Sequence, residues 1–178
     1  MKRILVKWAL IVTALNMTLF AQTTPPKPPP GIKDLEIWAG DWTFIGTSKN
    51  SLNDKEHPFT WRIHGHWRLG GHIVQTDQEW IEDNAITKYF EVISYRPATR
   101  STVSYGVADD GSGWITNLVF KGDTGLETGT VTLPDGKMAS VTTTWSFTPD
   151  RLSVTGTQEW ERDGSKWVSS RFKGTKAH

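Results

Sequence analysis

Two dipeptides constrain this chain more than anything else in it. Gly70-Gly71 and Asp163-Gly164 each separate two runs rich in Thr, Trp, Val and charged residues. Glycine-bearing pairs of this type form two-residue hairpin turns, and such a turn fixes which residues face each other across the strands it joins. Around Gly70-Gly71, one face pairs Trp61 with Trp80 and Trp67 with Val74, while the other pairs Arg62 with Glu79, His64 with Asp77 and His66 with Gln75. Around Asp163-Gly164, Trp160 meets Trp167 on one face and Glu161 meets Lys166 on the other. The aromatic face of that hairpin continues through Gln158 opposite Ser169 and Gly156 opposite Arg171. Two unrelated hairpins thus each predict a tryptophan pair inside and an ion pair outside, and cross-strand pairs stabilise a sheet by about 0.2–1 kcal/mol each.

The same alternation runs through most of the chain. Turn signals recur about every ten residues, and strands are predicted near 40–48, 59–69, 72–82, 85–96, 99–108, 113–121, 126–133, 137–147, 151–161 and 166–174. Asp135-Gly136 marks a third hairpin and Asp83-Asn84 a fourth, the latter bringing Tyr89, Glu91 and Tyr95 to the inner face with Thr76 and Gln78. Sequential strands with tight turns point to an all-β, up-and-down antiparallel barrel of about 8–10 strands, with a β-sandwich as the rival architecture. Strand 85–96 is apolar on both faces, Phe90 and Val92 against Tyr89 and Ile93, which suggests an outer cover from the N-terminal segment or from a second copy in a homodimer.

Residues 1–21 read as a secretory signal: Lys2, Arg3 and Lys7 precede an apolar stretch from Trp8 to Phe20 that ends at the small residue Ala21. The apolar stretch is short for a membrane span and carries Thr13, Asn16 and Thr18, so no stable membrane insertion is expected after cleavage. Residues 22–31 hold five of the nine prolines and form a stiff extended linker. The folded domain is expected over 32–178, with a short helix or turn at 33–38 before the first strand. These readings place the mature protein in the periplasm or outside the cell.

Charge narrows the function. The formal charge is +1, but the leader holds three basic residues and no acid, so the mature chain has 17 basic and 19 acidic residues, a net of −2. Nucleic-acid binding has no electrostatic support. With no cysteine, thiol catalysis, disulfides and thiolate metal sites are all absent. Ten tryptophans exceed what a core of this size needs; each removes about 200 Å² from water when buried. The excess suggests an aromatic-lined interior.

Gly40-Asp41-Trp42 on the first strand resembles the Gly-x-Trp signature of the lipocalins and their calycin relatives. Stretches 35–42, 67–71, 92–97 and 110–114 further resemble an uncharacterised family of bacterial secreted lipocalin-like domains. The resemblance implies a barrel that encloses a small ligand. It also implies that Trp42 closes the barrel base against an arginine near the end of the last strand, a place held here by Arg171; a guanidinium over an indole gains about 0.5–2 kcal/mol. The lipocalin Thr-Asp-Tyr motif has no counterpart, since Thr76-Asp77 is followed by Gln78.

The reading is therefore an exported protein that binds a small hydrophobic or amphipathic molecule. Trp42, Trp61, Trp67, Trp80, Trp160 and Trp167 would form the walls or the plugged end, and Gln78, Tyr89, Gln158 and Arg171 would orient the ligand's polar end. The alternative is a cavity-based isomerase, hydratase or cyclase in which Glu91 or a tyrosine moves a proton. A third reading has the interior filled and the surface at work. His64-x-His66 with Asp77 is the one metal-like constellation, but Arg62 and Arg68 flank it and a solvated outer face explains it as well. No nucleophile elbow or phosphate loop is present. His57 beside Pro58 and the terminal His178 are not placed to ligate a heme, so no cofactor is expected.

Overall fold

The structure, a computed structural model, describes residues 30–177. The expected leader, 1–21, and most of the expected linker, 22–31, lie outside the described residues. A short 3-10 helix, Pro30–Leu35, opens the described chain, two residues before the expected domain start. Ten strands follow: β1 (Gly40–Ser48), β2 (His57–Arg68), β3 (Ile73–Glu82), β4 (Ala85–Arg96), β5 (Ser101–Ala108), β6 (Gly113–Lys121), β7 (Thr124–Thr132), β8 (Met138–Phe147), β9 (Ser153–Arg162) and β10 (Ser165–Lys176). Each is antiparallel to its sequence neighbours, and β10 returns to pair with β1, so the sheet closes into an up-and-down barrel with no free edge. The sandwich is thereby ruled out. No helix among the described residues is long and apolar enough to cross a membrane.

Turn chemistry sets the registers. Asp83 and Asn84 both take positive φ, as do Asp163 and Gly164, the conformation of a tight mirror-image turn. The first joins Glu82 to Ala85 and the second Arg162 to Ser165. The β2–β3 connection is longer than two residues, spanning 69–72, yet it is symmetric about Gly70-Gly71, so every expected pair from Trp61–Trp80 to Trp67–Val74 is present. At Asp135-Gly136 a loop over 133–137 pairs Thr132 with Met138.

One register departs from expectation, and it moves a residue through the wall. Val168 pairs with Glu159 but Ser170 pairs with Gln158, so Ser169 is an extra residue, a β-bulge. A one-residue slip turns every later side chain to the opposite face. Phe172, not Arg171, therefore faces Gly156, and Arg171 lies outside, 3.1 Å from Glu56. The expected contact of Arg171 with Trp42 does not form. Lys176 takes that place: it pairs with Trp42 in the β1–β10 register, and its ammonium sits 5.9 Å from the centre of the indole while donating to the Glu36 and Ile37 carbonyls.

The two ends of the barrel are unlike. The 69–72, 97–100, 122–123 and 148–152 connections share one end with the N-terminal segment, which crosses the opening and closes it. At Gly65 the segment passes so near that an added Cβ would lie 1.7 Å from the Trp38 carbonyl oxygen. Behind it Trp42, Phe44, Trp145, Phe147 and Phe172 pack ring against ring; Trp42 and Phe44 stack at 5.5 Å, and Trp145 meets Phe172 at 5.0 Å. The Trp42 N–H donates to the Ile37 carbonyl at 2.7 Å. Gly40-Asp41-Trp42 thus closes the base, as its resemblance implied. The β1–β2, β3–β4, β5–β6, β7–β8 and β9–β10 connections surround the other end, which is open.

Candidate functional site

Above this floor lies a chamber of about 680 Å³, within the roughly 300–1,000 Å³ range of small-molecule sites. Residues from the β1–β2, β5–β6 and β7–β8 connections, including Asn50, Ser112 and Pro134, reach its rim. Its walls are the inward positions of the strands: side chains alternate across each strand, so Tyr89, Glu91 and Ile93 of β4 share the interior while Phe90 and Val92 stand outside.

Six tryptophans border the chamber: Trp38 reaches it from the N-terminal segment, and each of the other five commits its indole N–H to an inward polar side chain. Trp61 donates to Gln78 at 2.9 Å, Trp80 to Glu82 at 2.9 Å and Trp114 to Glu91 at 2.9 Å. Trp145 donates to Glu127 at 2.9 Å and Trp160 to Gln158 at 2.7 Å. These bonds fix the ring orientations, and ring contacts add to them: Trp80 stacks on Phe59 at 3.8 Å, and Trp61 packs on Phe44 at 4.7 Å. Trp114 lies flat over Gly106, where an added Cβ would come within 1.9 Å of the ring, so only glycine permits that pose.

Glu91 is the polar hub. It accepts from Gln78 at 2.8 Å, Thr76 at 3.2 Å and Trp114, and from the Ser104 hydroxyl. Glu127 accepts from Thr116 at 2.5 Å and from Trp145. Burial pushes the Glu127 carboxyl above the usual carboxylate range; the hydrogen bonds from Thr116 and Trp145 pull it down, and the charge of Glu91 pushes it up. Burial, with Asp110, Asp109 and Glu82 adding to it, raises the Tyr89 phenol above its ordinary range, so Tyr89 is a poor proton donor at neutral pH.

The expected ligand-binding residues divide into two groups. Trp61, Gln78, Trp80, Tyr89, Gln158, Trp160 and the catalytic candidate Glu91 all line the chamber. Trp42 is in the floor, Trp167 is buried beside Trp160 with its N–H 3.4 Å from the Lys49 carbonyl, and Arg171 is outside. Trp67 is at an inward register position, but it lies beyond the point where the N-terminal segment crosses Gly65 and is 37 % exposed below the floor. Trp114, Trp145, Ser104, Thr116 and Glu127 complete the chamber and were not anticipated. Glu127 was within reach: the tight Gly122 turn joins Lys121 to Thr124 and sets Glu127 opposite Leu118.

Outside the barrel, His64 pairs with Asp41 at 2.6 Å and faces Asp77 across the ladder, while His66 is exposed. Among the described residues no three His, Cys, Asp or Glu side chains gather as a metal site. His57 belongs to β2, not to a loop, and pairs with Asp83 at 2.9 Å. Lys166, opposite Glu161, makes its ion pair diagonally with Glu159 at 2.9 Å. The N-terminal segment lies across the barrel end, at Tyr95, and leaves Phe90 42 % exposed.

No protein-family model matches the chain, and no curated protein matches it in sequence. Among solved structures its barrel is similar to that of Rv2717c from M. tuberculosis, with a TM-score of 0.64 at 11 % identity, over 85 % of this chain and 100 % of that one. At that identity the likeness is one of fold.

Proposed function

We propose that this chain is an exported, lipocalin-like binding protein that holds one small hydrophobic or amphipathic molecule in its chamber. The observation that carries this reading is the contrast within a single barrel: a floor packed with rings, and above it a chamber of about 680 Å³ bordered by six indoles, five of them bonded through their N–H groups to inward side chains. A protein stabilised by its core alone gains nothing from leaving that volume open, because unfilled space forfeits dispersion contacts. Removal of the 1–21 leader would deliver the barrel to the periplasm or beyond, where it would capture its ligand. Native mass spectrometry of the protein purified from its own cells, followed by solvent extraction, tests the reading. One bound small molecule per chain is expected; a mass equal to the bare chain, together with no binding of any added apolar probe, would overturn it.

An acid–base enzyme working in the same chamber is the second reading, favoured by Glu91 and Glu127 facing one space in different surroundings. Four residues donate to Glu91, which suits a fixed anchor better than a proton shuttle. Turnover of an unsaturated or cyclic substrate, lost in Glu91→Gln with binding retained, would favour the enzyme.

A further inference from the structure

We propose that the molecule held in the chamber is an organic cation, with an ammonium or amidinium head beside Glu91 and Glu127 and an apolar body against the indoles. The inference rests on the binding reading above and names the class of ligand. Three carboxyls, Glu82, Glu91 and Glu127, project into the interior, and among the described residues no Lys, Arg or His forms an ion pair with any of them. The two basic residues that touch the chamber, Lys49 and Arg162, are at its rim and engaged elsewhere. Lys49 donates to the Leu52 carbonyl at 3.3 Å, and Arg162 lies 5.7 Å over the Trp167 ring and 4.0 Å from Asp163. Asp110 and Asp135 stand at the mouth as well, Asp135 paired with Lys137 at 3.7 Å.

Removing a carboxylate from water without a countercharge is costly, and proteins resolve the cost by protonation or by an opposite charge. Here the chain supplies no opposite charge in the chamber. Glu82 is occupied at the upper wall by Ser48 and Trp80. Glu91 and Glu127 are nearer one another: Glu91 accepts from Trp114, and Glu127 from Thr116, successive inward residues of β6. The mutual effect of their charges on Glu127 is a second sign of that closeness. A cation between them would meet two acceptors fixed in advance by the wall.

The aromatic lining points the same way by separate physics. Indole is the best of the side-chain π-faces for a cation, and recognition of organic ammonium groups by aromatic cages uses it. Trp61, Trp80, Trp114, Trp145 and Trp160 are hydrogen-bonded through their N–H groups, so what these side chains offer a ligand is ring carbon rather than a donor. An anion would find neither a free N–H from these rings nor a basic partner at depth. A neutral molecule would leave the carboxyls as they are.

Chain-matched probes test the inference on the whole protein. Octylammonium, 1-octanol and octanoate are titrated at pH 7 and low salt, with tryptophan fluorescence and calorimetry as readouts. Octylammonium is expected to bind at least tenfold more tightly than octanol, with octanoate weakest. Glu91→Gln combined with Glu127→Gln should bring octylammonium to the level of octanol while octanol itself is little changed. If octanol or octanoate binds as well as octylammonium, the cation inference fails and the binding reading stands. If all three fail to bind, the binding reading fails and takes the inference with it. A preference for octylammonium that survives in the folded double variant would place the charge recognition elsewhere and overturn the assignment to these two residues. Should the double variant not fold, the wild-type ranking of the three probes decides alone.

Discussion

The floor and the chamber of this barrel are built from the same kinds of residue and do opposite things. In the floor, aromatic rings face other rings: Trp42, Phe44, Trp145, Phe147 and Phe172 fill the cross-section, and Gly174 leaves room for the Phe44 ring. In the chamber, indole N–H groups bond inward polar side chains, on the same strand for Trp80 and Trp160 and one or two strands away for Trp61 and Trp114, and hold the rings in place at the wall. Trp145 belongs to both, with its ring in the floor cluster and its N–H on Glu127. Whether a tryptophan becomes filler or lining is set by its neighbours across the interior, not by its own chemistry.

The widest gap between the two regions should appear on truncation. Trp42→Ala removes a fully buried ring and is expected to cost about 3–5 kcal/mol, measured by chemical denaturation. Trp160→Ala, whose ring borders open space, should cost less than half as much and should weaken apolar-probe binding, which Trp42→Ala in its folded fraction should not. Equal costs would break the distinction. Lys176→Met probes the latch of the floor: it deprives the Glu36 carbonyl of its side-chain donor, leaves the Ile37 carbonyl with the Trp42 N–H alone, and is expected to lose about 1–2 kcal/mol.

A smaller effect of opposite sign is expected in the chamber. Burial raises the Glu127 carboxyl above its ordinary 4.5. The folded state therefore binds a proton that the unfolded state has released above that pH, so ionisation destabilises the empty protein as pH rises. Glu127→Gln should unfold at a higher midpoint than wild type at pH 7, with the gap closing as pH falls to 4. A gap independent of pH would mean that the carboxyl is not buried. The smallest effect belongs to the outer face: Arg171→Met breaks an exposed pair with Glu56 and should change stability by about 0.5 kcal/mol or less. A loss as large as that of Lys176→Met would return Arg171 to the base and contradict the bulge at Ser169.

Much of the barrel could be read from the turns. Asp83-Asn84 and Asp163-Gly164 dictate a conformation that few other pairs adopt, and a symmetric loop around Gly70-Gly71 preserves its register even though it is longer than a two-residue turn. What turns cannot encode is a bulge within a strand. Ser169 carries no mark of its extra place, because what fixes it is tertiary: its carbonyl accepts the N–H of Lys49, the residue after β1, and its hydroxyl meets Gln158. Arg171 was misplaced for that reason, and Lys176 was overlooked. Trp67 was misjudged because register gives the face of a residue and not its depth along the barrel. The hub itself was half visible. Trp80-x-Glu82 and Gln158-x-Trp160 put a ring and its acceptor on one face of one strand, a local signal. The pairs Trp114–Glu91 and Trp145–Glu127 cross between strands, and only a full set of registers brings them together.

The central claim is that the chamber above the floor is the place where a ligand goes. A titration with the neutral fluorophore N-phenyl-1-naphthylamine, comparing wild type with Val131→Trp, tests it most directly, because Val131 lines the chamber and an indole there would take up part of its space. The account predicts one saturable site per chain in wild type, with energy transfer from tryptophan, and clearly weaker binding at that site in the folded variant. Undiminished binding in Val131→Trp would place the probe on the exposed outer face around Phe90, Val107 and Ile115 and would contradict the account.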